Sequence, residues 1–258
     1  MESILMEISL PVMFFLMAAG FFAGLIDSVA GGGGLISLPA MLLAGVPPQT
    51  ALGTGKFMAT MGTGAAFISF ARNGAIVWRI AAVGFFFSFA GSAAGARVAL
   101  YVSNEVLGKA ILCLLPVAAL LTFIPVRKTL SGAEAGKASL YLLTPAVCAC
   151  IGFYDGFFGP GTGSFLLLAL HLILGLGLVS ASGTAKVFNL ASNISGLAVF
   201  LFYGKVWFLI AIPMAAANIA GNMAGARLAL RGGPAVVRNM LLFSLALLFA
   251  SLIARYYF

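Results

Sequence analysis

Two acids and four bases sit inside otherwise apolar sequence, and they come as matching triplets: Asp27, Lys56 and Arg97, then Asp155, Lys186 and Arg227. A single Asp, Lys or Arg at the centre of a membrane helix costs about 2.5–3.5 kcal/mol, while a leucine contributes only about 0.3–0.6. Such groups persist where they face a cavity, pair with one another or bind something. The lysines bring positive charge, and Asp27 and Asp155 are candidates for balancing it or for carrying a proton; a purely structural ion pair is the plainer alternative. Arg97 and Arg227 fall near span ends, where a long side chain snorkels to the interface, so their role is secondary.

Each aspartate precedes a stretch that cannot be comfortable helix. Residues 24–39 read "GLIDSVAGGGGLISLP", and 152–163 read "GFYDGFFGPGTG". Glycine costs about 1 kcal/mol relative to alanine in a helix interior, so the run Gly31, Gly32, Gly33, Gly34 implies unwound backbone or very close approach. Pro160, between Gly159 and Gly161-Thr162-Gly163, removes a backbone donor. Helices interrupted at matching positions are a pointer to a transporter's binding site, where free N–H groups and half-helix N-termini hold an anion. Lys186, Asn189 and Asn193 follow helical spacing with Ser182 one turn before, a polar stripe that lines a path or bonds a neighbouring helix. The first-half positions are Ala59 and Thr63, so any site is pseudo-symmetric only.

The elements that position these residues are membrane helices. Of 258 residues, 62% are apolar and 8% charged, against about 25% charged in soluble domains. The net charge of +8 then reports cytoplasmic loops and anionic headgroups, with the lipid bilayer as partner and no nucleic acid. The start, "MESILMEISLP", has no basic n-region, so the first apolar segment is expected to be retained. At about 20 residues per span, helices are expected near 10–30, 51–71, 76–98, 106–125, 139–158, 182–203, 206–228 and 236–255.

These divide into two groups of four. "ALGTGK" (51–56) answers "ASGTAK" (181–186), and "GSAAGARVAL" (91–100) answers "GNMAGARLAL" (221–230). Gly91, Gly95, Gly221 and Gly225 read as helix-packing positions. The expected fold is an all-α polytopic membrane protein of two homologous repeats, each of about four transmembrane helices, with the first helix of each broken at its Gly-rich segment. Residues 1–125 form the N-terminal repeat, 126–138 a polar linker and 139–258 the C-terminal repeat. Inverted and parallel repeats both stay open.

Soluble-enzyme motifs fail. "GTGKF" lacks the first glycine and the Ser or Thr of a phosphate loop. Cys113, Cys148, Cys150 and the lone His171 give neither a metal set nor a redox pair, so no cofactor, no metal and no enzyme activity are expected.

At these residues the chain resembles the sulfite exporter TauE/SafE family of bacterial and archaeal transporters. The resemblance rests on the glycine segment after Asp27, its partner "GFFGPGTGSF" (156–165), the paired G-T-x-K elements and the arginine-bearing span ends, from about residue 15 to 255. It implies a multi-pass protein of the plasma (inner) membrane. The implied activity is secondary transport, coupled to protons, of a small sulfur-containing oxyanion or organosulfonate of the sulfite, thiosulfate and sulfoacetate class. Carried over by position, Lys56 and Lys186 become anion ligands, with Thr54, Thr184, Gly31, Gly32, Gly33, Gly161 and Gly163 beside them. A passive anion channel, a carrier of another small organic anion, and a homo-oligomer are left open.

Overall fold

The computed structural model describes residues 8–110 and 142–257, and among these every regular element is a helix. The expected span at 106–125 lies outside them beyond residue 110, as does the 126–138 linker. The order is α1 (Leu10–Ala30), α2 (Gly34–Leu43), α3 (Pro48–Arg72), α4 (Trp78–Tyr101), α5 (104–110), α6 (Thr144–Phe157), α7 (Thr162–Leu172), α8 (Leu178–Phe202) and α9 (Phe208–Tyr257). Within α9, Gly233 leaves helical geometry (φ 64°, ψ −159°) just before Pro234, between the spans expected at 206–228 and 236–255.

Among the described residues, four helices are long and apolar enough to cross a membrane: Leu10–Ala30, Trp78–Tyr101, Leu178–Phe202 and Phe208–Val237. Helix α3 matches α8 in length but is less apolar, and both bury polar side chains, Gln49, Thr54, Lys56 and Thr63 on α3 and Thr184, Lys186, Asn189 and Asn193 on α8. Charged and amide side chains such as Lys56, Lys186, Asp155 and Asn218 are buried, while Phe14, Phe86 and Phe202 are exposed. That is the reverse of a soluble surface and suits hydrocarbon outside.

The largest pairings between helices skip the chain neighbours. The most extensive contacts are α1 on α9 and α4 on α6, followed by α3 on α9 and α4 on α8. Lipid tails are as apolar as leucine, so these contacts rely on close backbone approach at small residues. A methyl on Gly91 or Gly95 would overlap carbonyls of Ala149 and Phe153 on α6, and one on Gly221 or Gly225 would overlap carbonyls of Phe21 and Leu25 on α1. Progress along the chain gives direction. Gly20 meets Met214 and Gly24 meets Asn218, so α1 and α9 run parallel; Gly84 meets Cys148 and Gly152 meets Ser88, so α4 and α6 do too. In contrast, Gly53 meets Phe200 while Gly183 meets Phe70, so α3 and α8 run antiparallel through the centre.

Helix α1 ends because Gly31 takes φ +79°, its N–H donating to the carbonyls of Asp27 (2.8 Å) and Ile26 (3.3 Å), a left-handed stop that glycine adopts without strain. Gly33 then lies back against Ala23 and Asp27, so α2 returns alongside α1. The second interruption spans Phe158–Gly161, with Gly159 (φ +89°) and Gly161 (φ +83°) leading into α7. The two interruptions touch. Gly31 lies on Gly163, Gly34 lies on Pro160, the Ser164 N–H donates to the Gly31 carbonyl (3.0 Å), and the Ser164 hydroxyl donates to the Ala30 carbonyl (2.7 Å).

Gly31→Ala should therefore lower stability by about 2 kcal/mol or more, from the left-handed backbone plus overlap with Gly163. Gly64→Ala, where a methyl meets only Leu190 at 3.9 Å, should be close to neutral. Unfolding midpoints in detergent compare the two, and equal midpoints would mean the contact at Gly31 is not needed.

Candidate functional site

A cavity of about 80 Å³ opens where the interruptions meet, enough for a few water molecules or one small ion. Its wall takes Asp27 and Gly31 from α1 and its end, Gly33 and Gly34 from the start of α2, Lys56 from α3, Asp155 from α6, Gly161 and Gly163 from the start of α7, and Asn189 and Asn193 from α8. Leu38, Met41, Leu52, Met58 and Phe158 give it an apolar side.

The first-turn N–H groups of a helix have no partner within it. Those of Gly32, Gly33 and Gly34 at α2, and of Gly161 and Gly163 at α7, find no acceptor among the described residues. Two positive half-helix ends thus converge on one space. Asn189 is 4% exposed, and its carboxamide makes no hydrogen bond among the described residues, so it too is available to a ligand.

The four central charges pair crosswise. Lys56 Nζ lies 2.7 Å from Asp155 Oδ2 and donates to Asn193 Oδ1 at 3.1 Å. Lys186 Nζ lies 2.9 Å from Asp27 Oδ2 and also donates to the Asp27 backbone carbonyl. That carbonyl belongs to the C-terminal turn of α1, where a cation is favoured. With both pairs closed, the centre is neutral.

Several expected ligands stand elsewhere. Lys186 and Gly32 do not line the cavity. Thr54 and Thr184 are fully buried away from it, and their hydroxyls accept the backbone N–H of Trp207 (3.1 Å) and Val77 (3.0 Å), latching the starts of α9 and α4. Arg97 and Arg227 are exposed and do not line the cavity. Asn218 was not foreseen: it lines the cavity, donates to the Gly20 carbonyl (2.8 Å) and accepts from Asn222 (2.9 Å). Its signal was an Asn-x-x-x-Asn pair one turn apart in an apolar helix. Among the described residues no cluster of His, Cys, Asp or Glu suits a metal ion.

A multi-pass helical membrane protein with backbone donors and buried charge meeting at mid-chain breaks has the features of a membrane transporter. The comparisons agree. The sulfite exporter TauE/SafE family profile matches residues 16–252. The chain is 37% identical over 235 residues to the "Probable membrane transporter protein ORF9" of a Sinorhizobium species, covering 91% of this chain and 90% of that one. It is 38% identical over 246 residues to the "Probable membrane transporter protein YfcA" of Escherichia coli K12, covering 95% and 89%. A "Probable membrane transporter protein" of Haemophilus influenzae is 36% identical over 239 residues, covering 91% and 92%. No solved structure matches. The chain belongs to the sulfite exporter TauE/SafE family.

Removing one partner of a buried ion pair strands the other, at about 3–5 kcal/mol. Lys186→Met should show that loss in its unfolding midpoint, and Lys186→Met/Asp27→Asn should recover most of it. A single variant as stable as the parent would show that the pair does not hold the break in place.

Proposed function

We propose that this chain is a secondary transporter of a small sulfur-containing oxyanion or organosulfonate, of the sulfite, thiosulfate and sulfoacetate class, coupled to protons across the plasma membrane of a bacterium or archaeon. The observation that carries this reading is the convergence of the α2 and α7 N-termini, with unbonded N–H groups, on one cavity beside Lys56. Such an end binds a sulfonate or sulfite oxygen by charge-assisted hydrogen bonds, and Asn189 and Asn193 supply further donors. The apolar side of the cavity leaves room for a short carbon chain. The donors hold an anion, and no chemistry on it is asked of them, which favours a carrier over an enzyme.

The frame of this carrier is two homologous inverted repeats, 1–125 and 139–258, joined by 126–138, each with its first helix broken at glycine. Support comes from contacts that recur about 130 residues apart. Thr54 on Trp207 is answered by Thr184 on Val77, Gly53 on Lys205 by Gly183 on Ala75, and Lys56 on Asp155 by Lys186 on Asp27. The antiparallel run of α3 against α8 favours an axis in the membrane plane over parallel repeats.

Two measurements test these points. A ligand that binds only the native protein stabilises it, by about 2.7 kcal/mol at a hundredfold excess over Kd. A thermal-shift screen with sulfite, thiosulfate, sulfoacetate, sulfate and a carboxylate control should show a selective rise. It should vanish in Lys56→Met/Asp155→Asn, which keeps the centre neutral; no rise with any sulfur anion would discard the substrate class. For topology, cysteines placed singly at Asn73 and Tyr203, in turns at the starts of α4 and α9, should label from opposite faces of the membrane in a background without native cysteines. Labelling from one face would mean parallel repeats.

A further inference from the structure

The two lysine–aspartate pairs match in sequence but not in surroundings. Lys186 is 1% exposed, stands off the cavity wall, and is held by both the carbonyl and the carboxylate of Asp27. Lys56 is on the wall, and the only acceptors it has among the described residues are Asp155 and Asn193. Beside it are the unbonded N–H groups of α2 and α7 and the unbonded Asn189, an arrangement made for anionic oxygen, yet the ammonium at its centre is already taken by a carboxylate of the protein.

An anion that takes Lys56 must therefore part it from Asp155, and among the described residues no other cation pairs with Asp155. From α3 it faces Lys56. From α1 the nearest charge is Asp27, a second carboxylate, already held by Lys186 of α8. Its neighbour Tyr154 on α6 donates to the Pro160 carbonyl. Helix α7 brings only His171, at its far end against the Leu176 carbonyl, and α4 brings Ser92, bonded to the Ser192 carbonyl. Arg97 and Arg227 are exposed. A buried carboxylate left without a cation is neutralised by protonation rather than kept charged.

We propose that Asp155 is the resident ligand of the empty site: the substrate anion replaces its carboxylate on Lys56, and Asp155 takes one proton from solution onto the vacated carboxylate, while Lys186–Asp27 stays closed. This rests on the anion reading above and assigns the coupling to one aspartate. No covalent bond changes except the O–H bond formed on Asp155. For a singly charged anion the centre remains neutral when loaded, and for a doubly charged one, such as sulfoacetate or thiosulfate, it carries one net negative charge, set against the unbonded N–H groups of α2 and α7.

The test is calorimetric titration of sulfoacetate and of thiosulfate into the purified full-length protein, in buffers of different ionisation enthalpy, on both sides of neutrality. The expected result is uptake of about one proton per anion bound, with affinity falling about tenfold per pH unit once Asp155 is ionised in the empty protein. Asp155→Asn should bind the anion more tightly than the parent in alkaline solution, without proton uptake. Binding to the parent with no proton taken up, or uptake unchanged in Asp155→Asn, would overturn the exchange. If Asp155→Asn does not fold, the proton count in the parent decides alone. A folded parent that binds neither anion removes the anion reading and this exchange with it, an outcome distinct from anion binding without a proton.

Discussion

Gly31 and Gly163 touch backbone to backbone, and the centre of the molecule depends on that contact. A methyl on Gly163 would fall 2.5 Å from the Gly31 α-carbon, and Gly31 adopts a left-handed conformation as well. With both side chains absent, two helix breaks arrive at one point, and Ser164 ties them with two hydrogen bonds to Gly31 and Ala30. The ends of α2 and α7 then face one space with their N–H groups unspent. A bilayer supplies no water to satisfy them, so an irregular backbone is tolerable there only if it lines a cavity.

Around that point, the long helices find their principal partners far along the chain: α1 on α9, α4 on α6. The ion pairs follow the same crossing, and so do the threonine latches. A buried ion pair is a weak source of net stability, since desolvation offsets most of the attraction. What it enforces is register: a slip of one turn would part Lys186 from the Asp27 carbonyl and leave two charges buried alone. The packing that does stabilise the assembly is backbone contact at glycine, along the α1–α9 and α4–α6 seams.

The matching contacts differ where a ligand would sit. Asn189 stands opposite an alanine counterpart at Ala59, and one lysine is on the cavity wall while the other is sealed behind it. A symmetric centre would offer two equal cations and two equal carboxylates. This one offers two carboxylates, Asp27 and Asp155, but a single lysine, Lys56.

From sequence alone, the membrane setting, the charges in apolar sequence and the glycine segments that follow α1 and α6 were legible, because each is an intrinsic cost or a local backbone limit that needs no partner to be recognised. A charge in an apolar span and four glycines in a row stand out wherever the helices go. Which lysine meets which aspartate was not legible, nor that Lys186 serves the end of α1, that Thr54 and Thr184 hold helix starts, or that Asn218 reaches the cavity. Those depend on α1 crossing to α9 and on α3 running antiparallel to α8. Side-chain partners far apart in the chain are set by helix direction and rotation, and only the packed structure decides these.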